Sequence, residues 1–178
     1  MPARLLLSHC GIFMSGQGGK GLMSLHMAIA IKVLVAGDHD VLQSVAPDVF
    51  DNPVDPKLAR EFLNDPRHQM VVAVDGGQVV GFASGVDYIH PDKQPELFIN
   101  EVGVAPAYRG RGLAKTLVQT LLGVAATKGC QIAWVLTYRG NPNAMALYKS
   151  AGGVEGVDDS GPANEIVGYS FDLAKISN

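Results

Sequence analysis

Residues 97–114 read LFINEVGVAPAYRGRGLA and decide the fold. The first eight are mostly apolar and predict a strand. After a glycine-rich loop, apolar residues spaced three or four apart predict a long helix over 113–128, which Gly129 ends as a C-cap. The nearly all-apolar run at 131–137 predicts a second strand that is covered on both faces. Two strands joined through a helix in this way are expected to lie parallel, with a right-handed crossover.

The loop before the long helix has the features of a phosphate-binding site. A helix N-terminus offers unpaired N–H groups and about half a positive charge. Gly110 and Gly112 carry no side chain, so an anion can approach the backbone closely, and Arg109 and Arg111 can hold phosphate oxygens in their guanidinium forks. The sequence therefore predicts a polyphosphate ligand here, although surface arginines on a glycine-rich turn would give the same pattern.

Two common phosphate ligands fit this loop poorly. A dinucleotide-binding turn needs a third glycine where Lys115 stands, and an acid about 20 residues later, whereas the next acid is Glu155. Nicotinamide and flavin cofactors are therefore disfavoured. Gly19-Lys20 is not a nucleoside triphosphate loop either, because Gly21 stands where Ser or Thr is required.

The rest of the chain alternates strand and helix signals and predicts a single α/β domain over 28–178. Strands are expected at 29–35, 70–74, 78–84 and 165–173, and helices from Asp38 through Val45, after Asp55-Pro56, and from Asn141-Pro142 to Gly152. Asp75-Gly76-Gly77 predicts a hairpin turn, and 87–95, with two prolines, a polar loop. The order implies a mixed sheet with helices on both faces. Residues 1–27, which include a Gly/Ser-rich stretch, are interpreted as a flexible or tag-like extension.

Composition narrows the classes of function. The 178 residues are 47% hydrophobic and 17% charged, which is typical of a globular chain. A net charge of −3 argues against a nucleic-acid partner. The sequence contains no run of 18 apolar residues, so no membrane-spanning helix is predicted. Two cysteines build neither a disulfide framework nor a metal site, and no metal constellation is visible. Residues 102–154 carry six cations and no acid between acidic flanks, which suggests one anionic and one cationic ligand, or chance clustering.

Two motifs resemble the GNAT superfamily of N-acetyltransferases. Arg109-Gly-Arg-Gly112-Leu-Ala114 fits its Arg/Gln-x-x-Gly-x-Gly/Ala signature, and 141–152 is similar to its second motif, Asn-x-x-Ala-x-x-Leu-Tyr-x-x-x-Gly. The resemblance implies a GNAT-like fold and acetyl-coenzyme A as co-substrate, with its pyrophosphate on the glycine loop. Gly153 departs from the pattern, since an aromatic residue usually follows the final glycine. The residues implied in coenzyme binding are Val102, Gly103, Val104, Arg109, Gly110, Arg111, Gly112, Leu113, Ala114, Asn141 and Ala144.

Acetyl transfer to an amine needs a base and an acid. Glu101 lies on the strand that leads into the phosphate loop, where an apolar setting can raise its pKa, and Asp87 is the alternative base. The resemblance assigns Tyr148 the role of protonating the departing thiolate, and Asn141 a hydrogen bond to the pantetheine. The backbone of 102–104 is expected to bind the pantetheine amides. Each of these residues also has a purely structural reading.

The expected acceptor is a small cationic amine. The polar, proline-containing stretch before Glu101 is similar to aminoglycoside 3-N-acetyltransferases, which makes an aminoglycoside 3-amino group, and hence antibiotic resistance, the favoured prediction. A protein, peptide or polyamine N-acetyltransferase, a non-catalytic acyl-coenzyme A sensor and, more distantly, a dehydrogenase remain open. Asp87, Glu101, Asp158 and Asp159 are candidates for amine binding, among further acids that include Asp51 and Asp55. A cytoplasmic location and a homodimer, paired through the strand at 165–173, are also expected.

Overall fold

The computed structural model describes residues 28–156 and 165–176. The predicted extension at 1–27 and the candidates Asp158 and Asp159 lie outside these residues. The described chain forms one seven-stranded sheet with three α-helices. The strands are β1 (Ala30–Leu34), β2 (His68–Asp75), β3 (Gln78–His90), β4 (Lys93–Val104), β5 (Ile132–Tyr138), β6 (Val154–Glu155) and β7 (Ile166–Asp172). The helices are α1 (Pro56–Asn64), α2 (Leu113–Thr127) and α3 (Pro142–Ser150).

The sheet is mixed, as the sequence predicts. Its strand order is β1-β2-β3-β4-β5-β7-β6, and β4–β5 is the one parallel pair in the described chain. The α2 crossover joins these two parallel strands. β7 pairs with β5 along its whole length inside the chain, and with β6 on its other side.

Helices cover both faces of the central strands. α2 lies on one face, where a Cβ added to Gly81 would be 3.2 Å from the Leu117 side chain. α1 lies on the opposite face, where Ala59 and Phe62 line a cavity together with Met70 of β2. Because both faces are covered, the middles of β2 and β3 are buried continuously rather than at alternate positions.

Local signals account for the helix ends. Asp55 caps α1, since its carboxylate accepts hydrogen bonds from the N–H groups of Lys57 (2.7 Å) and Leu58 (3.2 Å). Gly129, just past α2, has a φ of +89°, as expected of a residue that terminates a helix. The predicted helix after Asp38 is only a 3-10 helix over Asp38–Gln43.

Two expectations about the sheet are wrong. The polar stretch at 87–95 is not a loop, because β3 and β4 extend through it and turn tightly at Pro91 and Asp92. β5 is buried on alternate positions rather than on both faces, and Ile132, Leu136 and Tyr138 are exposed. An apolar run alone did not distinguish a strand covered on both faces from one with an open face.

Candidate active site

A groove, which is the candidate active site, opens in the sheet where β4 and β5 separate. The two strands pair only over Glu96–Phe98 and Ile132–Trp134, whereas β4 continues to Val104 with β3 as its partner. The last residues of β4 therefore have no strand partner on the β5 side, which leaves that edge of the backbone for a ligand. A groove of about 680 Å³ follows this edge between β4, the start of α2 and α3.

Most of the residues that the sequence predicts for the active site line this groove. It is lined by Glu101, Val102, Gly103, Val104, Arg109, Gly110, Gly112, Leu113, Ala114, Asn141, Ala144 and Tyr148. Arg111 and Asp87 do not line it. Asp51, one of the further acids considered for amine binding, also lines it, as do Asp48 and Lys115, which the sequence does not single out.

The turn before α2 has the backbone geometry that an anion site needs. Gly110 and Gly112 have φ values of +74° and +77°, a region that residues with side chains rarely adopt. Gly112 is the N-cap of α2 and provides no side chain, so no capping group satisfies the first N–H groups of the helix. Nothing lies within 4 Å of a Cβ built at either glycine, so the space beside the backbone is open. These features fit a phosphate group.

The two arginines of the glycine-loop motif have different surroundings, and only one of them lines the groove. Arg109 lines the groove and donates from its Nε to the carbonyl oxygen of Val104 (2.9 Å), which holds the guanidinium at the end of β4. Arg111 lies instead over the ring of Tyr108, with its Cζ 5.4 Å from the ring centroid. Lys115, the third residue of α2, provides the second cation of the groove. The sequence could have indicated Lys115 as a groove residue, because it is three residues after Gly112 and side chains in the first turn flank a helix N-terminus.

Asn141 and Ala144 lie at the start of α3, on the opposite wall. The Asn141 Oδ1 accepts a hydrogen bond from the Ala144 N–H (3.1 Å) and so caps the helix. The cap uses the side-chain oxygen, so a hydrogen bond to the pantetheine would come from the Nδ2 group.

Glu101 reaches the groove because of a bulge in β4. Ser84 is opposite Glu101 and Gly85 is opposite Ile99, so Asn100 has no partner on β3. This extra residue turns Glu101 to the face opposite Ile99, toward Asp51. Burial, and secondarily the negative charge of Asp51, raise the pKa of Glu101. A carboxylate with a raised pKa is a better base near neutral pH.

Tyr148 is almost completely buried on α3, with its ring 5.8 Å from the ring of Tyr169. Burial raises the pKa of its hydroxyl. The group therefore keeps its proton above the ordinary range of tyrosine, which suits a proton donor.

Asp87 belongs to a structural network rather than to the groove. Its carboxylate accepts from the Gln69 Nε2 (2.9 Å), and the Lys128 Nζ (3.4 Å) and Cys130 Sγ (3.9 Å) lie beside it. It lies near the end of α2, since Lys128 is the C-cap residue of that helix and Cys130 follows two residues later. Asp87 does not line the groove, so its prediction as an alternative base and amine ligand is wrong. Burial, with the Asp87 charge second, raises the pKa of Cys130 to about 11, so this thiol is not an activated nucleophile.

A family model described as "Acetyltransferase (GNAT) family" matches residues 39–152, which is more than half of the chain. The chain belongs to the GNAT family of acetyltransferases. Acetyl-coenzyme A is the co-substrate of this family, and the open glycine turn, the uncapped start of α2 and the two groove cations fit its phosphates. Within 28–156 and 165–176, none of the helices has the length and apolar composition of a membrane span, and no three His, Cys, Asp or Glu side chains are grouped so as to hold a metal ion.

Relatives within the family have different acceptors in their names. The N-alpha-acetyltransferase RimI of Mycobacterium tuberculosis is 33% identical over 104 residues, which are 58% of this chain and 63% of that protein. The L-2,4-diaminobutyric acid acetyltransferase of Shouchella clausii is 37% identical over 79 residues, 44% and 43% of the two chains. The chain thus spans less than two thirds of these relatives' lengths. A solved aminoglycoside N-acetyltransferase, AAC(6')-Iy with coenzyme A, shares the fold at a TM-score of 0.60 and 21% identity, covering 74% of this chain and 91% of that one.

Proposed function

We propose that this chain is an N-acetyltransferase that moves the acetyl group of acetyl-coenzyme A to the primary amine of a small cationic molecule. The observation that carries the proposal is the groove itself. One end has an uncapped helix start and two cations, and the other has the carboxylates of Asp51 and Glu101, with Tyr148 on the wall. An anionic donor and a cationic acceptor can therefore meet in one groove.

The chemistry follows from the protonation states of the two side chains. An aliphatic amine is mostly protonated at neutral pH, so it must first lose a proton to Glu101, directly or through a water molecule. The nitrogen lone pair then forms a bond to the thioester carbonyl carbon as the carbon–sulfur bond breaks and its electron pair leaves with the sulfur. Tyr148 donates its proton to that thiolate and regains one as the nitrogen loses its second proton, through water. The proton held by Glu101 is released to solvent, so the products are the neutral amide, the free thiol of coenzyme A and one proton. Acetyl-coenzyme A supplies the activated acetyl group.

Removal of each proton-transfer group tests this assignment. Glu101→Gln and Tyr148→Phe each preserve shape, and each is expected to slow acetyl transfer by about 10²-fold or more. The measurement is release of the coenzyme A thiol, with calorimetry to show that acetyl-coenzyme A still binds. Tyr138→Phe, at an exposed position of β5, is the control for loss of a tyrosine hydroxyl. Full activity in both active-site variants would overturn the roles given to Glu101 and Tyr148, whereas binding of acetyl-coenzyme A without thiol release from the parent protein would favour the non-catalytic sensor.

The choice of acceptor is a separate proposal. An aminoglycoside 3-amino group is the sequence-based candidate, with polyamines and peptide N-termini as alternatives. A thiol-release screen across these three classes tests them directly. The cytoplasmic location and the homodimer stay predictions, the latter to be checked by sedimentation.

A further inference from the structure

A second cavity adjoins the groove at its acidic end. It has a volume of about 350 Å³, and Asp51 and Glu101 line both it and the groove. An amine nitrogen that reaches Glu101 therefore has this cavity beside it for the rest of the acceptor molecule. The volume is near the lower limit for ligand pockets, so it suits a small acceptor.

The cavity wall is largely apolar. Its apolar members are Leu42, Phe50, Pro53, Val54, Leu58, Ala59, Phe62 and Met70. Phe50 is stacked on Phe82, with 4.0 Å between ring centroids, and Phe62 on His68 at 4.5 Å. These stacked pairs give the cavity two aromatic surfaces held by their neighbours.

Three carboxylates line this cavity, and two of them, Asp51 and Glu101, also line the groove. Asp55 also lines it, but its carboxylate accepts hydrogen bonds from the backbone N–H groups of Lys57 and Leu58 at the start of α1. Asp51 and Glu101 remain as the pair that borders the groove. A second ammonium group placed against the apolar side chains, away from these three carboxylates, would lose water without gaining an anionic partner.

We propose that the acceptor is a monoamine with an apolar body, aromatic or branched alkyl, which fills this cavity while Asp51 binds its ammonium group beside Glu101. The inference rests on the proposed acetyl transfer and specifies its substrate class. It disfavours polycationic acceptors such as aminoglycosides and polyamines, because their further ammonium groups would lie against apolar side chains.

The first test compares amine acceptors that differ in the rest of the molecule, two monoamines with apolar bodies and two polycations. Phenylethylamine and isopentylamine are expected to show kcat/KM values about tenfold or more above those of spermidine and kanamycin in the thiol-release assay. Equal or higher values for the two polycations would overturn the inference.

The second test changes the cavity wall. Leu58→Glu places a carboxylate on the wall at a side chain that is 62% exposed, so the fold should tolerate it. We expect the KM for phenylethylamine to rise about tenfold or more, with coenzyme binding unchanged. Ile89→Glu is the matched control, since Ile89 is 68% exposed and does not line the cavity. An unchanged KM in Leu58→Glu would contradict the inference.

Amine binding separates this inference from the proposed function. Calorimetry of phenylethylamine against protein saturated with coenzyme A measures occupancy of the cavity without any reaction. If phenylethylamine binds, Leu58→Glu weakens that binding and no amine is acetylated, the cavity is supported as an amine-binding site and the proposed acetyl transfer is overturned. Acetylation of polycations alone would support the enzyme and overturn the cavity assignment. Absence of both binding and acetylation of phenylethylamine would also overturn the cavity assignment.

Discussion

Two carboxylates, Asp51 and Glu101, line both the groove and the cavity, and the first affects the ionisation of the second. Glu101 is partly buried, and Asp51 adds a second negative charge nearby. Both effects disfavour the ionised form of Glu101, so its pKa is raised. The same pair attracts an ammonium group, which would partly neutralise it. Asp51 is thus expected to contribute to acceptor binding and, second to burial, to the pH at which the base becomes active.

The variant Asp51→Asn tests this coupling through the pH profile. Glu101 works as a base only when it is ionised, so kcat/KM falls as the pH drops through its pKa. Removal of the Asp51 charge lowers that pKa, and the acidic limb of the profile should move to lower pH. The readout is the midpoint of the limb, because the height of the profile also falls if Asp51 binds the amine.

Asp48→Asn is the matched control for the pH experiment. Asp48 lines the same groove and belongs to the same loop, but its charge does not contribute to the shifted pKa of Glu101. Its φ of +59° is one that Asn adopts readily, so the substitution should leave the backbone intact. An equal shift of the limb in both variants would show that total charge, rather than Asp51, sets the pKa.

At the level of elements, the sequence predicts local features well and sheet irregularities poorly. Asp55-Pro56 and the Gly76-Gly77 turn each specify an element boundary through nearby hydrogen bonds or backbone angles, and both are confirmed. The bulge at Asn100 depends on pairing with β3, so no alternation pattern along β4 could show which face Glu101 occupies. Each of the two groove motifs, 109–114 and 141–152, is a continuous stretch of sequence and can be recognised in it. Asp51, by contrast, is brought to Glu101 only by tertiary packing of the loop before α1.

The loop before α1 can pack on β4 because of one glycine. A Cβ built at Gly103 would lie 2.2 Å from the carbonyl oxygen of Val49 and 2.7 Å from the Phe82 ring. We therefore expect Gly103→Ala to displace the loop, with a loss of about 1–3 kcal/mol in the free energy of unfolding. Because Asp51 belongs to this loop, kcat/KM for the amine should fall as well. Denaturant unfolding and the thiol-release assay measure the two effects.

The same substitution elsewhere in the chain serves as the control. Gly123 lies within α2, and nothing is within 4 Å of a Cβ built there. Gly123→Ala should therefore raise the free energy of unfolding by about 0.5–1 kcal/mol through helix propensity, without affecting the reaction. If Gly103→Ala proved as stable and active as the parent protein, close packing of the loop on β4 would not position Asp51.

At the scale of the whole molecule, opposite charges occupy opposite ends of one groove. The net charge of −3 conceals this division, since Arg109 and Lys115 line the end at α2 and Asp48, Asp51 and Glu101 line the other. The groove exists because β4 and β5 separate, so its two walls come from different parts of the chain. A ligand that spans them should stabilise the folded chain as a unit.

Thermal unfolding with acetyl-coenzyme A tests the whole arrangement. At about 100 times its Kd a ligand of the native state contributes roughly 2.7 kcal/mol, which corresponds to a rise in Tm of roughly 5–10 °C for a chain of this size. NADH should produce no rise, since the loop lacks a dinucleotide fingerprint. Gly112→Ala should lose most of the rise induced by acetyl-coenzyme A, because φ is +77° and the residue is the N-cap at which the proposed phosphate-binding turn meets α2. Gly129→Ala, at a φ of +89° past the other end of α2, carries a similar backbone cost of about 1–2 kcal/mol but should keep the full rise. A rise of equal size in both variants would mean that the diphosphate binds elsewhere.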